Sequence, residues 1–304
     1  MLTVSAIIPT HRRPGLLADA IASVQAQTML PCELVVVDDA DDGKTRAVVA
    51  AAGRAAPFPV RYIANGDGGV CRSRNLGARV ARGDWLAFLD DDDIWRSGFL
   101  QRLSGCLAPH GEKDTADFAL SGLLRHEVGR SPVSRSQTAG LRSDAILRHR
   151  ASMTGSNAII ARRAFFAVGG FDPAMAVFND WDMLVRLVDA ERRYAVVDLP
   201  LAEWRDHDGP RIATPSPSRA NGIERFLARY RHRLSPPLRR ELSTTALGIR
   251  LLHAPTIAER MTLRARLIAA HGVGGSWRRG VERVRRWRDH SRPPSGTIAP
   301  AVGR

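Results

Sequence analysis

The sequence predicts an α/β fold: a mostly parallel, Rossmann-like central sheet flanked by helices, followed by a C-terminal helical extension. Three observations carry that prediction. Short apolar runs alternate with stretches of helical spacing in the order β-α-β-α-β-α-β, which calls for parallel strands with helices on both faces. Two of the runs stop abruptly at aspartate clusters, Asp38, Asp39, Asp41 and Asp42 after one and Asp90 to Asp93 after the other. From about Ser218 the composition shifts to long helical patterns rich in arginine.

Taken in order, Val4 to Ile8 reads as a first strand ended by Pro9, and Thr10 to Pro14 as a polar loop. Leu16, Leu17, Ala20, Ile21 and Val24 have helical spacing within Gly15 to Gln27. Glu33 to Val37 is a second strand, Lys44 to Ala56 an alanine-rich helix, and Val60 to Ile63 a third strand. Asn65 to Gly69 is a glycine-rich loop, Ser73 to Ala81 a helix, and Trp85 to Leu89 the fourth strand. Further on, Ala116 to Leu124 and Ser156 to Ile160 read as strands, and Arg130 to Gly140 as a mobile surface loop. Arg163 to Val168 is a short helix ended by Gly169-Gly170. Asn179 to Asp182 opens a helix with Trp181, Leu184, Val185 and Val188 on its apolar face, and Tyr194 to Val197 is a strand. Trp85, Trp95 and Trp181 read as core residues. Ile223 to Tyr230, Leu238 to Leu252 and Thr256 to Ala270 are helices. Trp277, Val281, Val284 and Trp287 then fall on one face of a basic amphipathic helix, before a disordered tail from Ser291 to Arg304.

Bulk properties narrow the function. A chain of 304 residues holds one large α/β domain with an appendage, and no apolar stretch reaches the ~18 residues of a transmembrane helix. The N-terminus lacks a basic region and cleavage site and reads as a strand rather than a signal peptide. Cys32, Cys71 and Cys106 are odd in number and lack metal-ligand spacing, which points to buried thiols in a reducing, cytoplasmic compartment. The net charge of +14, nearly all from arginine, predicts attraction to acidic partners. The Gly66 to Gly69 loop does not satisfy G-x-G-x-x-G, which disfavours a dinucleotide-binding enzyme.

The acidic clusters carry the chemistry. Four consecutive like charges after a buried strand repel one another at ~1 kcal/mol per pair even in water, so Asp90 to Asp93 demand either a divalent cation or full solvation as a loop capping a helix near Ile94. In a parallel sheet ligands bind at the carboxyl ends of strands, where both clusters fall. Asp180 has two readings by position: a carboxylate for proton transfer, or part of a helix N-terminus capped by Asn179.

Several ordered motifs resemble the family 2 glycosyltransferases, inverting enzymes of the GT-A fold. They are Ala6-Ile7-Ile8-Pro9-Thr10-His11-Arg12-Arg13-Pro14, the strand ending in Asp38-Asp39, and Ser73-Arg74-Asn75-Leu76-Gly77 leading to Gly83 through Asp93. Gly169-Gly170-Phe171-Asp172 and Asp180-Trp181-Asp182 follow in the family's order, and the match runs from about Val4 to Thr214. The resemblance implies a GT-A domain over residues 1–215, and the change of composition after it marks off a basic helical extension over 216–290 and a tail over 291–304. It implies Mn²⁺ or Mg²⁺ on Asp92 and Asp90, with His207 reaching metal or diphosphate from a closing loop. Pro9, Thr10 and Arg13 would line the nucleotide pocket, Asp38 or Asp39 would accept from the base, Arg74 would pair with acidic groups of the site, and Asp91 would reach the ribose. Asp93 would be a helix cap or support the metal ligands. Asp180 would be the catalytic base.

The donor would be a nucleoside-diphosphate sugar, with UDP the common choice. The acceptor would be a hydroxyl or amine of a glycan, a lipid-linked saccharide or a natural-product or carrier-bound substrate. Asn179 departs from the family's glutamate, which bears on acceptor recognition. The Arg/Trp helix suggests peripheral contact with the inner face of a membrane, and no nucleic-acid partner is expected. The competing reading is a basic membrane- or nucleic-acid-associated module with the same fold and no transferase activity.

Overall fold

The computed structural model describes residues 2–66, 68–107, 116–126, 131–135, 140–149, 153–207 and 214–271. The Arg/Trp helix at 277–288 and the tail at 291–304 lie outside the described residues, as do 136–139 of the expected loop. The chain divides into two compact units, Met1–Gly209 and Pro210–Arg304.

The first unit begins with β1 (Val4–Thr10), α1 (Pro14–Gln25), β2 (Glu33–Asp38), α2 (Gly43–Ala55), β3 (Val60–Ala64), α3 (Val70–Val80) and β4 (Trp85–Phe88). These four strands form a parallel block in the order β3-β2-β1-β4. Strands β1, β2 and β4 are buried along their whole length, which is why they read as continuous apolar runs. The second half adds β5 (Ile94–Trp95), α4 (Phe99–Leu107), β6 (Phe118–His126), β7 (Val133–Arg135), α5 (Ser143–His149), β8 (Ala158–Ala161), α6 (Arg162–Ala167), α7 (Asn179–Asp189) and β9 (Tyr194–Arg205). It extends the sheet as β4-β8-β6-β9-β5, with β7 on the edge of β6. Strand β8 runs antiparallel to both β4 and β6, so this half is mixed.

One irregularity positions the site. The β1–β4 ladder runs from Val4↔Trp85 to Ile7↔Phe88, and the Leu89 amide donates to the Ile7 carbonyl at 2.9 Å. Strand β1 continues alone on that side to Thr10, while its β2 ladder persists to Thr10↔Asp38. Pro9 lies past the last β4 rung, where its missing N–H costs no ladder bond. The strand order reverses between β1 and β4, the place where open sheets leave a crevice.

Several expectations need correction. The helix expected near Ile94 is instead the strand β5, paired with Glu203 and Ala202, and α4 starts only at Phe99. Ile94 and Trp95 have strand-favouring side chains, and Trp95 is fixed by stacking on Phe99 at 4.4 Å and by donating Nε1–H to the Ser156 carbonyl at 2.7 Å. Helix α3 starts at Val70, because Gly68 and Gly69 at φ +62° and +91° turn the chain straight into it. Residues 133–135 of the expected loop form β7. Among the cysteines only Cys71 is buried, its thiol pushed up to about 12 by desolvation; Cys32 and Cys106 are exposed. All three tryptophans singled out are core residues.

The second unit contains α8 (Pro217–Tyr230), α9 (Pro236–His253) and α10 (Ile257–His271). Ser216 caps α8 by accepting from the Arg219 amide at 3.1 Å, with Pro217 in the first turn. Ile223, Phe226, Tyr230, Leu238, Leu242 and Ile249 form its core.

Candidate active site

Asp90 to Asp93 leave β4 at the β1–β4 crevice, and each carboxylate meets a different environment. Asp91 turns into the gap left by the diverging strands. It accepts from Thr10 Oγ1 at 2.8 Å, from the His11 amide at 3.4 Å and from Arg13 at 3.1 Å. Burial pushes its carboxyl up to about 6 against the opposing pull of Arg13. Asp92 is partly exposed and meets Arg13 at 3.2 Å and His207 Nε2 at 2.9 Å. Its carbonyl accepts from Arg205 Nε at 3.1 Å.

Asp90 pairs closely with Arg74, and Asp93 is buried. Ser156 ties the pair together: its Oγ accepts from the Asp90 amide at 3.1 Å and donates to Asp93 Oδ2 at 2.5 Å. Asp93 Oδ1 has no hydrogen-bond partner among the described residues. Desolvation, then Asp90 and Asp92, hold the Asp93 carboxyl well above the usual range. Asp93 is therefore no helix cap. It joins Asp90 and Asp92 in a group that offers one carboxylate oxygen from each residue, these three lying within 4.8 Å of one another.

Arg74 links this cluster to the helix carrying Asp180. It is buried on α3, pairs with Asp90, and donates to Asn179 Oδ1 at 2.7 Å. Burial works against its charge, and Asp90 more than compensates. Asn179 does not cap α7, as expected from sequence. The cap position is Phe178 in the left-handed region at φ +61°, and Asn179 is the first helical residue, its amide turned to Arg74. Asp180 lies beside it, half-buried. Burial and Asp90 raise its carboxyl, while Arg74 and the Trp181 amide, donating at 2.8 Å, oppose the rise.

The first aspartate cluster divides. Asp38 is fully buried and accepts from the Ala40 and Asp42 amides at 3.0 and 2.8 Å and from the Tyr62 hydroxyl at 2.9 Å. Asp39 lies nearer the surface, accepts from the Gly69 amide at 2.8 Å and makes a close contact with His11. The crevice thus gathers Thr10, Arg13, Arg74, Asp90 to Asp93 and His207 into one contact network, while Asp38 supports its own turn.

Residues that the sequence reading passed over complete the site. A Cβ on Gly155 would stand 2.3 Å from Arg74 and 3.2 Å from Asp90 Oδ1, so the ion pair needs glycine there. Gly155 drew no reading and Ser156 was read only as the start of a strand, which begins instead at Ala158; the one available signal was that β8 had to lie somewhere against the sheet. Asn75 clamps Phe171, donating to its carbonyl at 2.8 Å and accepting from its amide at 2.9 Å.

A parallel block with a crevice at its strand-order reversal, an acidic triad and a helix-borne aspartate opposite define a GT-A transferase fold. Solved structures agree. S. aureus TarS 1-349 in complex with UDP-GlcNAc superposes with a TM-score of 0.61 at 17% identity, covering 95% of this chain and 88% of that one. The mannosyltransferase PcManGT from Pyrobaculum calidifontis, in complex with GDP-Man and Mn2+, gives 0.58 at 16% identity, covering 95% and 85%. The Glycosyl transferase family 2 model matches residues 5–171, so the chain belongs to that family and is a glycosyltransferase. Its sequence relatives include the uncharacterized glycosyltransferase YwdF of Bacillus subtilis, 29% identical over 66% of this chain and 72% of that protein. An uncharacterized glycosyltransferase of Haemophilus influenzae is 28% identical over 61% of this chain, and the match spans 62% of that relative's length.

Proposed function

We propose that the chain is a divalent-metal-dependent, inverting glycosyltransferase that moves a sugar from a nucleoside-diphosphate sugar, UDP being the leading choice, to an acceptor hydroxyl. The observation that carries this reading is the triad Asp90, Asp92 and Asp93 at the crevice, with a buried Asp93 oxygen that has no hydrogen-bond partner among the described residues. Three close carboxylates, one of them desolvated, fit a hard cation that prefers oxygen ligands. Asp90, Asp92 and Asp93 would hold Mn²⁺ or Mg²⁺, with His207 beside Asp92. When bound, the ion offsets the charge of a diphosphate and stabilises it as a leaving group. The ligands named for TarS and PcManGT, UDP-GlcNAc and GDP-Man with Mn2+, support the donor class and the metal.

The other roles follow from placement. Thr10 and Arg13, anchored on Asp91, form with Pro9 the wall of the nucleotide pocket. Asp39 suits recognition of the base, since Asp38 is already engaged by its own turn. Asp180 accepts the proton of the acceptor hydroxyl, and a carboxyl raised by burial is a stronger base for that step. Arg74 keeps Asp90 and Asn179 in place on either side. Asn179, where a glutamate was the family expectation, gives Arg74 a neutral partner and leaves Asp90 as its closest anion. The acceptor belongs to the classes named from sequence: a glycan, a lipid-linked saccharide, or a natural-product or carrier-bound substrate.

The test is calorimetric titration of UDP-, GDP- and dTDP-sugars with and without Mn²⁺. Metal-dependent binding of at least one donor is expected, lost in Asp92→Ala. Asp180→Asn should keep donor binding and lower turnover by roughly 10²–10⁴-fold. Donor binding indifferent to metal would overturn the metal assignment, and full turnover in Asp180→Asn would remove it as base.

A further inference from the structure

The positive charge of this chain is not spread over it. Residues 1–209 contain 25 basic and 26 acidic side chains, whereas residues 210–304 contain 20 arginines and 5 acidic side chains. The entire excess of +14 therefore belongs to the second unit. That unit also exposes aliphatic surface. Ile257 is 78% exposed, Met261 62% and Ile268 51%, all on α10. At 100° per residue these three fall within an arc of ~40°, a stripe ~100° round the helix from buried Leu267. Arg260 and Arg264 fall along one border of the stripe, exposed, with Arg260 also donating to the Ala254 carbonyl at 3.0 Å.

We infer that the second unit docks on an anionic lipid bilayer, with the Ile257/Met261/Ile268 stripe of α10 entering the headgroup–acyl boundary and the unit's arginines meeting lipid phosphates. A helix with an aliphatic face and a cationic border is the arrangement that lies in a membrane interface. The charge balance selects this occupant. A second copy of a unit carrying +15 would be repelled. Nucleic acid would satisfy the arginines and leave three aliphatic side chains in water. No described helix is long and apolar enough to span a bilayer. The inference is independent of the transferase reading, because it concerns binding and uses no residue of the crevice.

The experiment is cosedimentation of the full chain with vesicles of phosphatidylcholine alone and of equal parts phosphatidylcholine and phosphatidylglycerol. Binding to the anionic vesicles and not to the neutral ones is expected. The triple variant Ile257→Ser/Met261→Ser/Ile268→Ser changes only exposed side chains and should weaken binding by at least about tenfold with an unchanged melting temperature. The double variant Arg260→Gln/Arg264→Gln should weaken it by about fivefold per arginine at low salt. Equal binding to both vesicle types, or full binding by the serine variant, overturns the proposal. So does displacement of the chain from vesicles by duplex DNA with no loss in the serine variant, the mark of a plain polyanion site. Dimerisation in sedimentation velocity that the serine variant abolishes, without vesicle binding, assigns the stripe to a second copy and overturns it as well.

Discussion

The two aspartate clusters look alike in the sequence, each ending a buried parallel strand, yet they are built on opposite principles. The cluster after β2 closes on itself. Asp38 holds the Ala40 and Asp42 amides and the Tyr62 hydroxyl, Asp42 accepts from the Lys44 and Thr45 amides at the start of α2, and exposed Asp41 pairs with Arg46 at 2.6 Å. The cluster after β4 does not close. Burial holds Asp91 and Asp93 above the usual carboxylate range, and Asp93 keeps an oxygen with no partner among the described residues. Buried polar groups are ordinarily satisfied, and a deficit concentrated at one strand end marks the place where something else is meant to bind. A run of like charges thus signals a ligand site only when the surrounding backbone does not supply the donors.

That contrast can be broken most forcefully at Asp38. Asp38→Ala leaves two amides without their acceptor, the Tyr62 hydroxyl keeping Asp41 at 3.0 Å, and should cost about 3 kcal/mol of unfolding free energy in urea. A loss under about 0.5 kcal/mol would mean that the first cluster is not self-supporting. Next in size is the response to metal. Mn²⁺ at 100 times its dissociation constant should stabilise the protein by about 2.7 kcal/mol, seen as a rise in melting temperature that Asp92→Ala lacks. Asp93→Asn sharpens the comparison with the opposite sign. It keeps an acceptor for Ser156 and removes a desolvated charge, so the metal-free protein should gain about 1 kcal/mol while losing the Mn²⁺ effect.

The mildest perturbation is pH, read at the other end of β2. Glu33 is desolvated, but the Arg82 amide, Arg61 and Ser5 outweigh that and hold its carboxyl below the ordinary value. A depressed folded value means stability that is present above the unfolded pKa and lost as pH falls through the folded one. Acid unfolding of the metal-free protein should show this loss, and Glu33→Gln should flatten it without changing donor binding.

The legible part of the molecule was the part made of repeating physics. Strands β1, β2 and β4 were readable because burial on both faces leaves unbroken apolar runs, and α7 because Trp181, Leu184 and Val185 recur at helical spacing. Asp90 to Asp93 stood out as like charges crowded at a strand end, whereas Asp180, which suits a helix N-terminus by position, was singled out only by the family resemblance. What failed depended on distant partners. Ile94-Trp95 is a strand only because Glu203 and Ala202 arrive beside it more than a hundred residues later. Gly155 and Ser156 belong to the site only because β8 is laid antiparallel against β4. Asn179 had every local mark of a cap, and the buried guanidinium of Arg74 claims its side chain instead.

Helix α3 carries Arg74 and Asn75 as neighbours, and their duties point to different halves of the crevice. Arg74 grips Asp90 on one side and Asn179 on the other, while Asn75 holds both the amide and the carbonyl of Phe171 the way a strand partner would. Gly77, one turn on, lies so close to β1 that a Cβ would stand 2.5 Å from Ile7 Cγ2, which seats the helix against the sheet. A single helix is therefore the common gauge from which the acidic cluster and the Asp180 helix are both set out. Small displacements of α3 would shift the two together and preserve their spacing, so drift in the second half of the sheet need not reach the distance between the acidic cluster and Asp180.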